Sequence, residues 1–130
     1  MNRPFLQKIL YATDFSDASL AAVPVLSALR KSSGAQLRIL HVSADPDSGI
    51  EKTQRFDSLR RLLGTNESEE YVVLHGTNIA QAVVNEAERY PADLVVLGVK
   101  RASAFVAHAA PKIAFQTVAA APCAVLTVSS

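Results

Sequence analysis

The chain has 130 residues, of which 49% are hydrophobic and 19% charged, and its formal net charge is +1 at pH 7. That length suits one domain spanning residues 1–130, and that composition supplies a core without disulfides or metal, which excludes disorder and coiled coil. Lys and Arg never run beyond pairs (Arg30-Lys31, Arg60-Arg61, Lys100-Arg101), so the electrostatic footprint of a nucleic-acid or anionic-membrane binder is absent.

In chain order, the first aliphatic run is Ile9 to Thr13, a predicted strand. A helix follows on Ala21, Ala22, Val25, Leu26 and Leu29, with Ser16 or Asp17 as its N-cap and Gly34 just past its end. Pro24 falls inside that pattern, where a missing amide hydrogen predicts a kink or a late start. Leu37 to Val42 is the second strand. After the loop from Ala44 to Gly49, Phe56, Leu59, Leu62 and Leu63 mark a second helix that stops at Gly64. Tyr71 to Leu74 is the third strand, and Ile79, Ala80, Val83, Val84 and Ala87 mark a third helix, capped by Thr77 or Asn78 and followed by Pro91. Leu94 to Leu97 is the fourth strand. The Ala-rich stretch from Ser103 to Ala121 carries a last helix, with Ile113 and Val118 on one face and its start set by Pro111; Cys123 to Val128 is the fifth strand.

Strands recurring every 20 to 35 residues with helices between them are βαβ units. Runs such as Val72-Val73-Leu74 and Leu94-Val95-Val96-Leu97 are continuous rather than alternating, as in strands covered by helices on both faces, so the fold class is α/β with an open parallel sheet of five strands. Ligands of such sheets bind beyond the carboxyl ends of the strands, where strand order reverses. The positions to inspect are Thr13-Asp14, Val42-Ser43, His75-Gly76 and Gly98 onward.

These positions carry a family resemblance. Lys8-Ile-Leu-Tyr-Ala-Thr-Asp14-Phe-Ser16, Leu40-His41-Val42, Gly76, Ala92-Asp93-Leu-Val-Val-Leu-Gly98 and Ala121-Pro122-Cys123-Ala-Val-Leu126 together resemble the universal stress protein family over nearly the whole chain. The resemblance implies the adenine-nucleotide α-hydrolase-like, Rossmann-like fold, strand order 3-2-1-4-5 and a homodimer along the fifth strand. It also implies ATP bound by a Gly-x2-Gly-x9-Gly-Ser/Thr loop after strand four, whose bare backbone amides cradle phosphate. Here the first Gly is Gly98, while the other three positions fall on Arg101, Pro111 and Lys112. Pro offers no amide hydrogen, and neither Arg nor Pro suits the positive φ of a glycine loop. The usual cradle is therefore expected to be missing.

By the same resemblance Asp14 contacts nucleotide or its Mg ion, and the Val42 backbone meets adenine. The plain alternatives are a helix-capping acid and an ordinary strand-end residue. Lys100, Arg101 and Lys112 offer side-chain charge to phosphate, or are a solvated loop. His41, His75 and His108 lack metal-ligand spacing, no nucleophile elbow or Ser-His-Asp set is visible, and Cys123 reads as a small buried thiol. The expectation is thus a non-enzymatic, cytoplasmic regulatory module without a resident cofactor; the alternative is an ATP or AMP sensor using Asp14, Val42, Gly98, Arg101 and Lys112. In the order 3-2-1-4-5 the run Cys123 to Val128 is an edge without charge, Pro or Gly inside it, which predicts pairing with a second copy or a fused sister domain.

Overall fold

The computed structural model describes residues 5–44, 49–64, 69–100 and 112–130, with side chains in the second of these segments from residue 53 onward. Its elements follow the order β1 (Lys8–Ala12), α1 (Asp17–Leu20), α2 (Val23–Ser33), β2 (Gln36–Ser43), α3 (Gly49–Leu63), β3 (Glu70–His75), α4 (Ile79–Arg89), β4 (Leu94–Val99), α5 (Lys112–Ala120) and β5 (Ala124–Ser129). All strand pairs are parallel, and the sheet order is β3-β2-β1-β4-β5.

The unbroken aliphatic runs have a direct cause. Side chains alternate between the two faces of a strand, and both faces here are covered. Ile9, Tyr11, Leu37, Ile39 and Val96 point to one layer, where Val23 and Leu26 of α2 and Phe56, Leu59 and Leu63 of α3 meet them. Leu10, Leu40, Val42, Val95 and Leu97 point to the other, against Val83 and Ala87 of α4 and Ala114 of α5. Each such side chain, taken fully from water, contributes about 1.5–3 kcal/mol, and this two-sided burial fixes the register of the sheet.

The helix ends follow local chemistry. Ser16 caps α1 by accepting from the Ser19 amide at 3.2 Å, and Asn78 caps α4 by accepting from the Gln81 amide at 3.1 Å. Pro24 splits the predicted first helix in two. The chain turns at Ala21 and Ala22, and α2 restarts with Pro24 in its first turn, where no amide hydrogen is needed. Gly34 ends α2 at φ +69°, in the left-handed region that accepts a residue without Cβ.

The last helix differs from its sequence pattern. Ala114 and Thr117 face the core, while Ile113, Val118 and Phe115 are 41%, 55% and 70% exposed. Small inward residues let α5 lie close to α4 and β5, and the large apolar ones are turned to its flanks. Pro111, the expected start signal, lies outside the described residues.

Candidate functional site

Strand order reverses between β1 and β4, and α1 crosses the carboxyl end of β4 there. The result is a cleft of about 360 Å³. Leu40, Ile79, Val83, Leu97 and Ile113 form aliphatic walls, the buried Thr13 and Ser19 also line the cleft, and the exposed Asp14, Ser16 and Lys100 add polar groups.

The loop leaving β1 is held from several sides. Thr13 donates its amide to the Leu40 carbonyl at 2.9 Å, and its hydroxyl oxygen accepts from the Phe15 amide at 2.9 Å and the Ser19 hydroxyl at 2.6 Å. Asp14 Oδ1 accepts from the Ser16 amide at 2.9 Å, leaving the exposed carboxylate at the cleft mouth. The Tyr11 hydroxyl donates to the Ser19 carbonyl at 2.7 Å and ties α1 to the centre of the sheet. Burial pushes the Tyr11 phenol above its ordinary pKa, with the hydrogen bonds to Ser19 and Thr13 opposing, so it remains a donor at neutral pH. His41 Nδ1 lies 2.9 Å from the Thr13 carbonyl; since a carbonyl only accepts, Nδ1 carries the hydrogen.

Of the residues singled out in the sequence, Asp14, Val42, Gly98 and Lys100 all line this cleft. Lys112 is exposed at the start of α5, beside the wall residue Ile113 but not itself on the wall. Arg101 lies outside the described residues. Gly98 has a steric reason for its identity. A Cβ there would sit 2.6 Å from Ser19 Cα and 2.7 Å from the Ser19 carbonyl oxygen, and closer still to the Ala18 carbonyl. The space a glycine leaves is thus filled by α1, and the packing of α1 on β4 accounts for Gly98 without any phosphate.

Phe15 was not visible as a site residue. It adopts φ +63°, and Asp-Phe-Ser contains no glycine to announce a left-handed backbone. Cys123 is half-buried, and burial raises its thiol pKa, with Asp93 adding to the shift, which keeps it a neutral thiol. Among the described residues no cluster of His, Cys, Asp and Glu is placed to hold a metal ion, and no helix is long and apolar enough to cross a membrane.

Comparison with solved structures places this architecture among known folds. A universal stress protein in complex with cAMP superposes with a TM-score of 0.77 at 20% identity, over 95% of this chain and 96% of that one. One from Archaeoglobus fulgidus in complex with dAMP gives 0.72 at 14% identity, over 95% and 98%. A further universal stress protein, from Archaeoglobus fulgidus DSM 4304, gives 0.71 at 23% identity over 97% of this chain but 44% of its own. No curated protein matches the sequence. Residues 6–129, nearly the entire chain, match the family described as Universal stress protein, and the chain belongs to that family.

Proposed function

We propose that this chain is a non-catalytic, cytoplasmic regulatory module of the universal stress protein type that acts by association through the edge strand β5. The observation that carries the reading is the state of that edge. Ala124–Ser129 pairs with β4 alone among the described strands, and its sequence Ala-Val-Leu-Thr-Val-Ser has no charge, Pro or Gly to blunt it. The flank of α5 extends it. On α5, which packs against β5, Ile113 lines the cleft, whereas Phe115 and Val118, about 200° and 140° further round the helix, are exposed on the flank away from it. A two-fold pairing of β5 covers this ledge and satisfies the open amides and carbonyls. A fused sister domain offering the same strand satisfies them equally, and the chain spans only 44% of one solved relative, whose length leaves room for a second domain.

Sedimentation at micromolar concentration tests this. The wild-type chain is expected to run as a dimer, and Phe115→Lys, which charges an exposed position without touching the core, is expected to weaken it about tenfold or more. A wild-type monomer at that concentration sinks the reading.

A second reading, the adenine-nucleotide sensor, is favoured by the cleft itself. Its aliphatic walls suit a flat ring, and Asp14 and Val42 occupy the strand ends that the family resemblance assigns to nucleotide. Solved relatives are in complex with cAMP and dAMP. The residues fit triphosphate poorly, because Gly98 is packed on α1 and Lys112 is off the wall, so a monophosphate is the better candidate. Thermal unfolding with AMP separates the readings: a ligand at 100 times its Kd adds about 2.7 kcal/mol, and no shift at millimolar AMP rejects the sensor.

A further inference from the structure

Phe15 belongs to two parts of the molecule at once. Its backbone is in the cleft loop: its amide donates to Thr13 Oγ1 and the next amide donates to Asp14 Oδ1, each at 2.9 Å. Its ring points the other way, into the layer beneath α3. The ring centroid lies 4.9 Å from that of His41 and 5.2 Å, edge-on, from that of Phe56, and Phe56 in turn stands edge-on to Tyr71 at 4.7 Å. The Arg55 guanidinium of α3 lies 5.7 Å from the Phe15 ring centroid.

At φ +63° a bulky side chain is in a sparsely populated backbone region, which persists only where its surroundings hold it. No glycine permits this conformation, so the ring contacts and the two short-range hydrogen bonds must fix it. We infer that Phe15 is a positioning residue that couples the cleft to α3: the seat of its ring against Phe56 and His41 sets the conformation of the Asp14 loop, and displacement of α3 reshapes the cleft. The coupling does not depend on which ligand the cleft takes. As an equilibrium property it acts in both directions.

Amide hydrogen exchange read by NMR tests it without ligand. Phe56→Ala, a change confined to α3, is expected to speed exchange of the Phe15 and Ser16 amides about tenfold relative to the Leu10 amide of β1. Leu63→Ala, buried in the same layer one helical turn beyond Leu59, serves as the control for general loosening and is expected to leave that ratio unchanged. Phe56→Leu keeps most of the volume while removing the edge-on ring contact, and is expected to show the same selective effect if the alanine variant does not fold. In a Phe15→Gly background, where positive φ carries no steric penalty and no ring remains, the effect of changing Phe56 is expected to vanish. An unchanged ratio in both Phe56 variants overturns the inference, as does an equal rise in Leu63→Ala or a persisting effect in the glycine background.

Discussion

Replacing Glu86 by Ala is expected to cost about 3 kcal/mol of folding stability, because it breaks one side of a buried ion pair and leaves the other. Glu86 is charged yet 2% exposed, on the inner side of α4. Its Oε2 accepts from Arg38 Nη1 at 2.8 Å, and Arg89 approaches Oε1 at 3.7 Å. The Arg38 guanidinium carbon lies over the Tyr90 ring, 4.1 Å from its centroid, and Nη2 donates to Glu70 at 2.8 Å. Burial works against the charge on Arg38, but the hydrogen bonds to Glu70 and Glu86 outweigh it and hold the guanidinium above its ordinary pKa. With Glu86 gone, Arg38 keeps the half-exposed Glu70 as its one carboxylate partner among the described residues, so part of its charge is buried without a counter-charge. Urea unfolding of Glu86→Ala measures the cost, and a loss under about 1 kcal/mol contradicts the account. The double change Glu86→Leu with Arg38→Met is expected to recover most of the loss, since replacing both partners of a buried pair by apolar groups is often neutral.

That pair also marks where reading the sequence stops. Arg38 and Glu86 stand 48 positions apart, and each looks like a solvated polar residue in its own strand or helix. Only the packing of α4 across β2 brings them together. Features decided within a few residues were legible: the aliphatic strands, the caps to within one of two neighbours (Ser16 or Asp17, Thr77 or Asn78), the helix end at Gly34, and a kink or late start at Pro24. The order β3-β2-β1-β4-β5 came from family resemblance, because parallel strands joined by helices can neighbour one another in several orders. The cleft was half legible. The rule that ligands bind beyond strand ends located Thr13, Asp14, Val42 and Gly98. It did not disclose that Phe15 turns left-handed behind Asp14, that Ser19 reaches back to Thr13, or that α5 turns Ala114 and Thr117 inward instead of its larger side chains. Those outcomes depend on how closely a helix approaches the sheet, which no local pattern encodes.

The two glycines at strand ends are expected to separate sharply on substitution by Ala. Gly76 has open space where a Cβ would go, so Gly76→Ala is expected to stay within about 0.5 kcal/mol of wild type. Gly98→Ala is expected to lose about 3 kcal/mol or more. The new methyl meets backbone atoms of Ala18 and Ser19, which cannot rotate aside as a side chain would. For the methyl to fit, α1 must move outward from β4. That movement pulls on the Tyr11 hydroxyl bond to the Ser19 carbonyl, 2.7 Å, and on the Ser19 hydroxyl bond to Thr13, 2.6 Å, both buried. Overpacking alone costs about 1–3 kcal/mol, and each buried polar group left without its partner adds about 1–3 kcal/mol. The strain falls on Thr13, Ser19 and Gly98, all of which line the cleft, so affinity for any ligand held there is expected to fall with stability. Chemical denaturation of the two variants side by side supplies the measurement. If Gly98→Ala is as stable as Gly76→Ala, α1 is free to shift and its packing does not explain the glycine; a Gly98→Ala chain that is stable yet binds AMP far more weakly assigns the glycine to the ligand instead.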